Sequence, residues 1–241
     1  MEADCLLTLL TEQRGKVSAI AKGVRKPNSR LRGGVQLFTH NEMYLAEGRN
    51  LDVVTQSDSV EAFTLLQENM VTISAACYWG ELLEAFSAEG QADAELFQLA
   101  LAGFHILCLA ANEVIFRGLE IKLLSQAGYR PYWDNCVTCG KTFAGQNRFV
   151  FSAELGGVLC GSCSNGIAAN CTQEAIGVWQ QLLRMDLSKI RRLKVSAQGL
   201  QVLDQLMEEY LLRQLERPLK SRSVLKELLM SNTIDGGGKN G

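Results

Sequence analysis

No stretch of this 241-residue chain is apolar for long enough to cross a bilayer. The most apolar run, Leu96 to Ala111, is broken by Gln98 and His105. It falls short of the roughly 20 residues that a span needs. It reads as a buried helix, with His105 a core histidine and not a ligand or base. An excess of one charge is also missing: 24 basic and 26 acidic residues leave a formal net charge of −2. The chain as a whole does not attract nucleic acid, so any basic surface must be local. Two histidines offer little general-base capacity. There is no Gly-x-Ser-x-Gly, no His-Glu-x-x-His and no Walker-type loop, and the carboxylates form no metal-nuclease pattern. These absences disfavour an enzyme, and no catalytic residue is expected. No secretory leader accompanies the eight cysteines, which points to a reducing compartment, the cytoplasm.

What the chain does contain is a pair of Cys-x2-Cys units, Cys136/Cys139 and Cys160/Cys163, separated by twenty residues. Four thiolates at this spacing can close a tetrahedral shell around one Zn²⁺. Two disulfides or two redox-active dithiols are weaker alternatives, because nothing else in the sequence is secreted or thioredoxin-like. A four-sulfur shell leaves no open position, so the ion, one per chain, is structural. Gly140 and Gly161 suit tight turns around it. Phe149 to Phe151 reads as a strand, Gly156-Gly157 as a turn, and Val158-Leu159 as the return into the second pair. Cys77 and Cys108 read as small buried side chains on helices. Cys171 lies close enough to the second pair to be a spare ligand.

Strand character dominates the first sixty residues. Cys5 to Leu10, Val17 to Val24, Val35 to Phe38, Glu42 to Ala46 and Leu51 to Gln56 are the expected strands, punctuated by turn residues. Such spacing suggests a small barrel or sandwich. From Glu61 the period becomes helical. Leu66, Met70, Ile73 and Cys77 define one apolar face. Helices are expected over Asp93 to Asn112 and over Glu113 to Ala127, the second closed by Gly128 and Pro131. After the cysteine pairs, Thr172 is a candidate N-cap for a helix carrying Ile176, Trp179, Leu182 and Leu183. Leu200, Leu203, Met207, Tyr210 and Leu211 mark another, stopped by Pro218. Ser223 to Met230 forms a last short one. The glycine-rich end is expected to be disordered, and no Lys-Ser/Thr pair makes it a phosphate loop.

Between Arg14 and Arg32 the chain carries Arg14, Lys16, Lys22, Arg25, Lys26, Arg30 and Arg32 without one acid. On a small β-barrel this strip would track a phosphate backbone, with Asn28 and Ser29 suiting contact without base reading. The competing reading is a solvated loop. Phe38 and Tyr44 are the nearest aromatics, and each is better explained as core than as a stacking platform. Two further clusters follow. One is Lys189, Arg191, Arg192 and Lys194. The other is Arg213, Arg217, Lys220 and Arg222, where interspersed glutamates suggest a salt-bridged helix surface.

The order of these features resembles the bacterial RecO family of recombination mediators. Glu2-Ala3-Asp4 with the following Leu-Leu-Thr-Leu-Leu-Thr, then Arg14-Gly15-Lys16 and Ala21 to Lys26 through Ser29, is similar to that family's N-terminal OB-fold. Gly128-Tyr129-Arg130-Pro131, the two cysteine pairs, Phe149-Val150-Phe151 and Gly156-Gly157 are similar to its zinc-bearing insert. The similarity runs from Glu2 to about Leu229. RecO proteins usually begin with an apolar and basic strand ahead of a Gly-Glu-x-Asp stretch. Here Met1 stands where that glycine would be, so the barrel is expected to be incomplete, with exposed edges.

The resemblance implies an α+β fold: an incomplete OB-fold-like β-barrel over 1–60, then an α-helical domain over 61–235. A four-cysteine zinc ribbon is inserted over 134–170, and a tail follows over 236–241. It implies binding of single- and double-stranded DNA, annealing of complementary strands, and loading of the recombinase RecA onto strands coated by the single-strand binding protein SSB. Implied partners are RecR, the SSB C-terminal tail and, in some settings, RecF, in a cytoplasmic, nucleoid-associated protein. The positions matching its DNA contacts are Lys16, Lys22, Arg25, Lys26, Arg30 and Arg32. The alternative function is a zinc-ribbon adaptor between proteins that does not itself bind DNA.

Overall fold

The computed structural model describes residues 3–143, 148–168 and 170–236, with Arg148 and 232–236 described through their backbone only. The tail beyond 236 and residues 144–147 and 169 of the insert lie outside the described residues. The chain divides into two compact units, one of Met1–Leu109 with Ser221–Gly241 and one of Ala110–Lys220.

The first unit opens with strands β1 (Cys5–Thr11), β2 (Gly15–Ala21), β3 (His40–Ala46) and β4 (Asp52–Glu61). In β2 every second residue is buried, so Val17, Ala19 and Ala21 face a core while Lys16, Ser18 and Ile20 are half exposed. β1 and β2 form a hairpin from Cys5↔Ala21 to Thr11↔Gly15. The Thr11 hydroxyl closes its turn by accepting the Arg14 N–H at 3.1 Å and donating to the Gly15 carbonyl at 2.9 Å. β3 and β4 form a second hairpin, and β2 joins β4 in parallel at Ala19↔Asp52 and Ile20↔Val53. The sheet order is β1-β2-β4-β3, and the sheet is not closed. Ala19, Ala21, Val24 and Val54 form its core, with Cys5, Leu7, Leu9, Leu31, Val35 and Leu45 packed against them.

The strand expected at Val35 to Phe38 does not form. Gly34 is fastened to β4 by the Ser57 hydroxyl, which donates to its carbonyl at 2.6 Å. Phe38 then turns through a left-handed φ of 56° and sets its ring 5.5 Å from Phe104. Val35 and Phe38 are half buried from a loop and Leu37 is 72% exposed, so apolar character without a ladder partner makes no strand.

Behind the sheet come a 3-10 turn (Thr64–Gln67), α1 (Met70–Phe86) and α2 (Ala94–Leu109). Asn69 caps α1 by accepting the Val71 and Thr72 N–H groups at 3.0 and 2.9 Å. The buried face of α1 is Ala75, Tyr78, Trp79, Leu82 and Leu83, not the stripe through Met70 and Cys77. Met70 is 65% exposed and Cys77 is exposed. A helix this apolar offers two stripes at helical spacing, and tertiary packing chooses between them. Trp79 makes the choice: its indole N–H donates to the Ala100 carbonyl of α2 at 3.1 Å, over the bare backbone of Gly103.

His105 also departs from expectation. It is exposed on α2, with Nε2 3.4 Å from a Glu61 carboxylate oxygen and its ring edge-on to Phe63. Cys108 is only half buried. The last helix, α7 (Lys220–Gly236), is longer than expected. It docks on α1 through Ser221, whose N–H and hydroxyl donate to Glu81, and through Arg222, which donates to the Tyr78 hydroxyl.

The second unit contains α3 (Glu113–Gln126), strands β5 (Arg148–Ser152), β6 (Gly157–Leu159) and β7 (Cys171–Thr172), then α4 (Gln173–Arg184), short α5 (Leu187–Ile190) and α6 (Ala197–Leu215). α3 is buried from Ile115 through Ile121 without a break. Thr172 caps α4 as expected, accepting the Ala175 N–H at 3.2 Å.

Two ionisable side chains are buried in α3 and answer each other. Arg117 reaches Glu120 at 2.7 Å and Asp204 of α6 at 3.1 Å. Removing Glu120 takes from the buried Arg117 its buried partner and leaves the half-buried Asp204 to answer the charge. Glu120→Ala should therefore lower the stability of this unit by about 3–5 kcal/mol. Urea unfolding followed by tryptophan emission reads that change. Among the described residues no helix is long and apolar enough to cross a membrane.

Candidate metal centre and nucleic-acid interface

The four cysteines of the two Cys-x2-Cys units come together in the second unit, with their sulfurs all within 4.8 Å of one another. Each pair sits on a tight turn. In the first, the Gly140 N–H donates to the Cys136 carbonyl at 2.8 Å, with Gly140 at a φ of 71°. In the second, the Cys163 and Ser164 N–H groups donate to the Cys160 carbonyl at 3.0 and 2.9 Å. The turns are locked to the β5–β6 hairpin: Val137 donates to the Val158 carbonyl at 3.0 Å, and Tyr132 to that of Gly156 at 2.8 Å. Only glycine fits at 157, because a Cβ there would collide with the Tyr132 carbonyl and the Val137 side chain.

All eight cysteines are free. Cys139 and Cys160 have sulfurs 3.7 Å apart, far beyond the roughly 2.05 Å of a disulfide. Cys136 and Cys160 are buried, Cys163 is half buried and Cys139 is exposed. Burial pushes the Cys136 thiol up, but backbone N–H groups of Cys160, Cys139 and Thr138 pull it down to about 6. Cys160 is lowered mainly by the backbone N–H of Cys163. Cys163 is pushed up to about 12, first by its hydrogen bonds with Cys160 and Cys139. Four sulfurs this close cannot all carry charge unless a cation sits among them. The arrangement can hold one metal ion with four protein ligands. Cys171 stands outside it, in β7, where burial raises its thiol to about 12.

The supports of this centre were not apparent from the cysteine spacing. Trp133 stacks on Phe151 at 5.0 Å and leans on Trp179 of α4 at 5.1 Å, while Phe151 meets Tyr210 of α6 edge-on. Tyr210 donates its hydroxyl to the Tyr129 carbonyl at 3.0 Å. Asn170 completes the edge of β5, accepting the Phe151 N–H at 2.7 Å and donating to its carbonyl at 3.1 Å. The hairpin is thereby joined to α4 and α6.

The basic strip divides. Arg14 is bound to Asp52 at 2.6 Å. Lys16 turns its ammonium to the Glu84 carbonyl in the last turn of α1, at 2.9 Å, where the helix dipole favours a cation. Lys22, Arg25, Lys26, Arg30 and Arg32 remain exposed on the segment linking β2 to β3. Among the described residues none of these five has an acidic partner at salt-bridge distance. Successive turns shape the segment: Lys26 donates to Gly23, Ser29 to Lys26, Arg32 to Ser29 and Gly34 to Leu31. They draw Val24, Leu31 and Val35 onto the sheet core and leave the cations outside. In the second unit Lys189, Arg191, Arg192 and Lys194 are also exposed, around α5. Of the third cluster, Arg213 lies 3.7 Å from Glu154.

An open four-stranded sheet with an exposed basic crossover, followed by helices that bracket a four-cysteine ribbon able to hold a metal ion, defines a two-part β-sheet and helical protein with a cysteine ribbon. The sequence comparisons narrow it. Family models described as "Recombination protein O N terminal" and "Recombination protein O C terminal" match residues 1–63 and 67–223. The protein called "DNA repair protein RecO" in Desulforamulus reducens is 35% identical over 233 residues, covering 96% of this chain and 91% of the relative. The protein of that name in Heliobacterium modesticaldum is 37% identical over 240 residues, covering 96% and 86%. That of Pelotomaculum thermopropionicum is 37% identical over 227 residues, covering 93% and 88%. The chain belongs to the recombination protein O family.

Proposed function

We propose that this protein is a non-enzymatic DNA repair and recombination mediator. It binds single- and double-stranded DNA, anneals complementary strands and helps load recombinase onto DNA coated by single-strand binding protein. The observation that carries this reading is the exposed, acid-free set Lys22, Arg25, Lys26, Arg30 and Arg32 in a member of this family. Annealing needs phosphate repulsion lowered and no bond made or broken, and unpaired cations on a short crossover do that. The same reading makes RecR, RecF and the SSB C-terminal tail its partners, the tail needing an apolar groove rimmed by a cation.

The metal in this reading is zinc. Tetrahedral Zn–S bonds of about 2.3 Å place neighbouring sulfurs about 3.8 Å apart, and Cys139 and Cys160 stand at 3.7 Å. Bound zinc would supply cross-linking only; Cys136, Cys139, Cys160 and Cys163 would hold it and fix the ribbon between α3 and α4.

The test is annealing of complementary oligonucleotides, bare and coated with single-strand binding protein, without ATP. Faster pairing that declines steeply with added salt is expected. Unchanged pairing with no saturable DNA binding would replace this reading with the zinc-ribbon adaptor.

A further inference from the structure

The geometry points to a defined single-strand subsite: Arg25 and Arg32 clamp one phosphodiester, and its sugar lies on an apolar floor of Cys5, Val24 and Val35. This inference rests on the DNA-binding reading above and adds which residues grip and which merely neutralise. The subsite is a cleft of about 260 Å³ lined by Cys5, Val24, Arg25, Arg32, Val35 and Gln36. Among the described residues its polar lining comes from two arginines and one glutamine, with no acidic residue. Asp4, next to Cys5 in sequence, is not in the lining and accepts the Gly23 N–H at 2.7 Å. A guanidinium presents paired donors that match two phosphate oxygens, which an ammonium cannot do.

The floor is firm. Val24 belongs to the sheet core, Cys5 and Val35 pack against it, and Cys5 is registered to Ala21 in the β1–β2 ladder. Both arginines are anchored through their backbones, and among the described residues neither guanidinium has a hydrogen-bond or ion-pair partner. The Arg25 N–H donates to the Ala3 carbonyl at 3.0 Å, and the Arg32 carbonyl accepts from the Gln36 amide at 2.8 Å. The ligand therefore orders little of the protein when it binds. The volume lies below the roughly 300–1,000 Å³ of drug-sized pockets and suits one sugar–phosphate unit. A single strand can turn its sugar down onto the floor while its base stays outside. A duplex holds its sugars in a fixed convex wall. Lys22, Lys26 and Arg30 do not line the cleft and act on neighbouring phosphates.

Cys5 makes the cleft testable without altering it. An oligothymidylate of about 16 nucleotides, the upper range for one such fold, is titrated onto the whole protein. Alkylation is read at Cys5, with exposed Cys77 on α1 as the internal reference. The expected result is at least about tenfold slower alkylation of Cys5 at saturation, with Cys77 unchanged. Arg25→Ala and Arg32→Ala should each weaken binding by at least about tenfold, the worth of a charge-assisted contact. Their combination should cost little more than either alone. Lys22→Ala should cost only about twofold to threefold, as a screened point charge. Saturable, salt-sensitive binding that leaves Cys5 as reactive as before, or that ignores Arg32→Ala, overturns the cleft and retains DNA binding. No binding by the parent protein overturns both.

Discussion

Replacing Arg25 and Lys26 together by glutamate should lower single-strand affinity by about a hundredfold or more at moderate salt. Each phosphate neutralised contributes about 0.7 to the slope of log affinity against log salt for single strands. With Arg25 and Arg32 sharing one phosphate, the five exposed cations predict a slope of about −2.8, and the three left in the double variant about −2. The two new carboxylates add repulsion beside Lys22 and Arg30, so the loss exceeds two missing contacts. The fold has no stake in either side chain: both are exposed, and the hydrogen bonds made by these two residues are backbone ones. Circular dichroism and the thermal midpoint should match those of the parent. Parental affinity in this variant would show that the segment between β2 and β3 is not where DNA lies.

Substituting Cys139 by serine should have the second large effect, on the second unit alone. Cys139 is the exposed member of the four, so serine there removes no packing. Whatever follows reports the lost ligand. Apparent binding energies for structural zinc run to about 10–16 kcal/mol, against about 5–15 kcal/mol for a whole domain. A ribbon whose core is Cys136, Val150, Leu159 and Cys160 has little else to hold it. The variant, or the parent after chelation, should give up its metal and shift tryptophan emission to the red. Trp133 and Trp179 pack beside the ribbon, whereas Trp79 lies in the other unit. Cys77→Ser is the control that should keep the metal. Protein purified with four titratable thiols in the ribbon and no metal would refute the centre.

How much of this could be read beforehand depended on the range of the interaction. Alternation in β2, the cap at Thr172 and the cysteine spacing are encoded within a few residues, and each was legible. What escaped was decided far along the chain. Arg14 and Lys16 look identical in sequence to the cations after them, yet their partners, Asp52 and Glu84, lie 38 and 68 positions away. The stripe of α1 that faces inward was set by Trp79 and its acceptor on α2. An apolar run around His105 and the helical spacing of Cys77 point both to the core, and the helix rotation places them outside. Trp133 and Asn170 support the four-cysteine site without being ligands, and only the fold identifies them.

The parallel join between β2 and β4 has a kinetic consequence. β1 with β2 and β3 with β4 are local hairpins, and such pairs zip in about 1–10 μs. Their union must wait for the ends of the cation-bearing crossover to meet, which makes it the slow event in assembling this sheet. Until then the two hairpins are tethered fragments whose inner edges are bare. A polyanion that gathers the crossover would bring those edges together sooner, so refolding followed by stopped-flow fluorescence should be faster with an oligonucleotide present than in plain buffer.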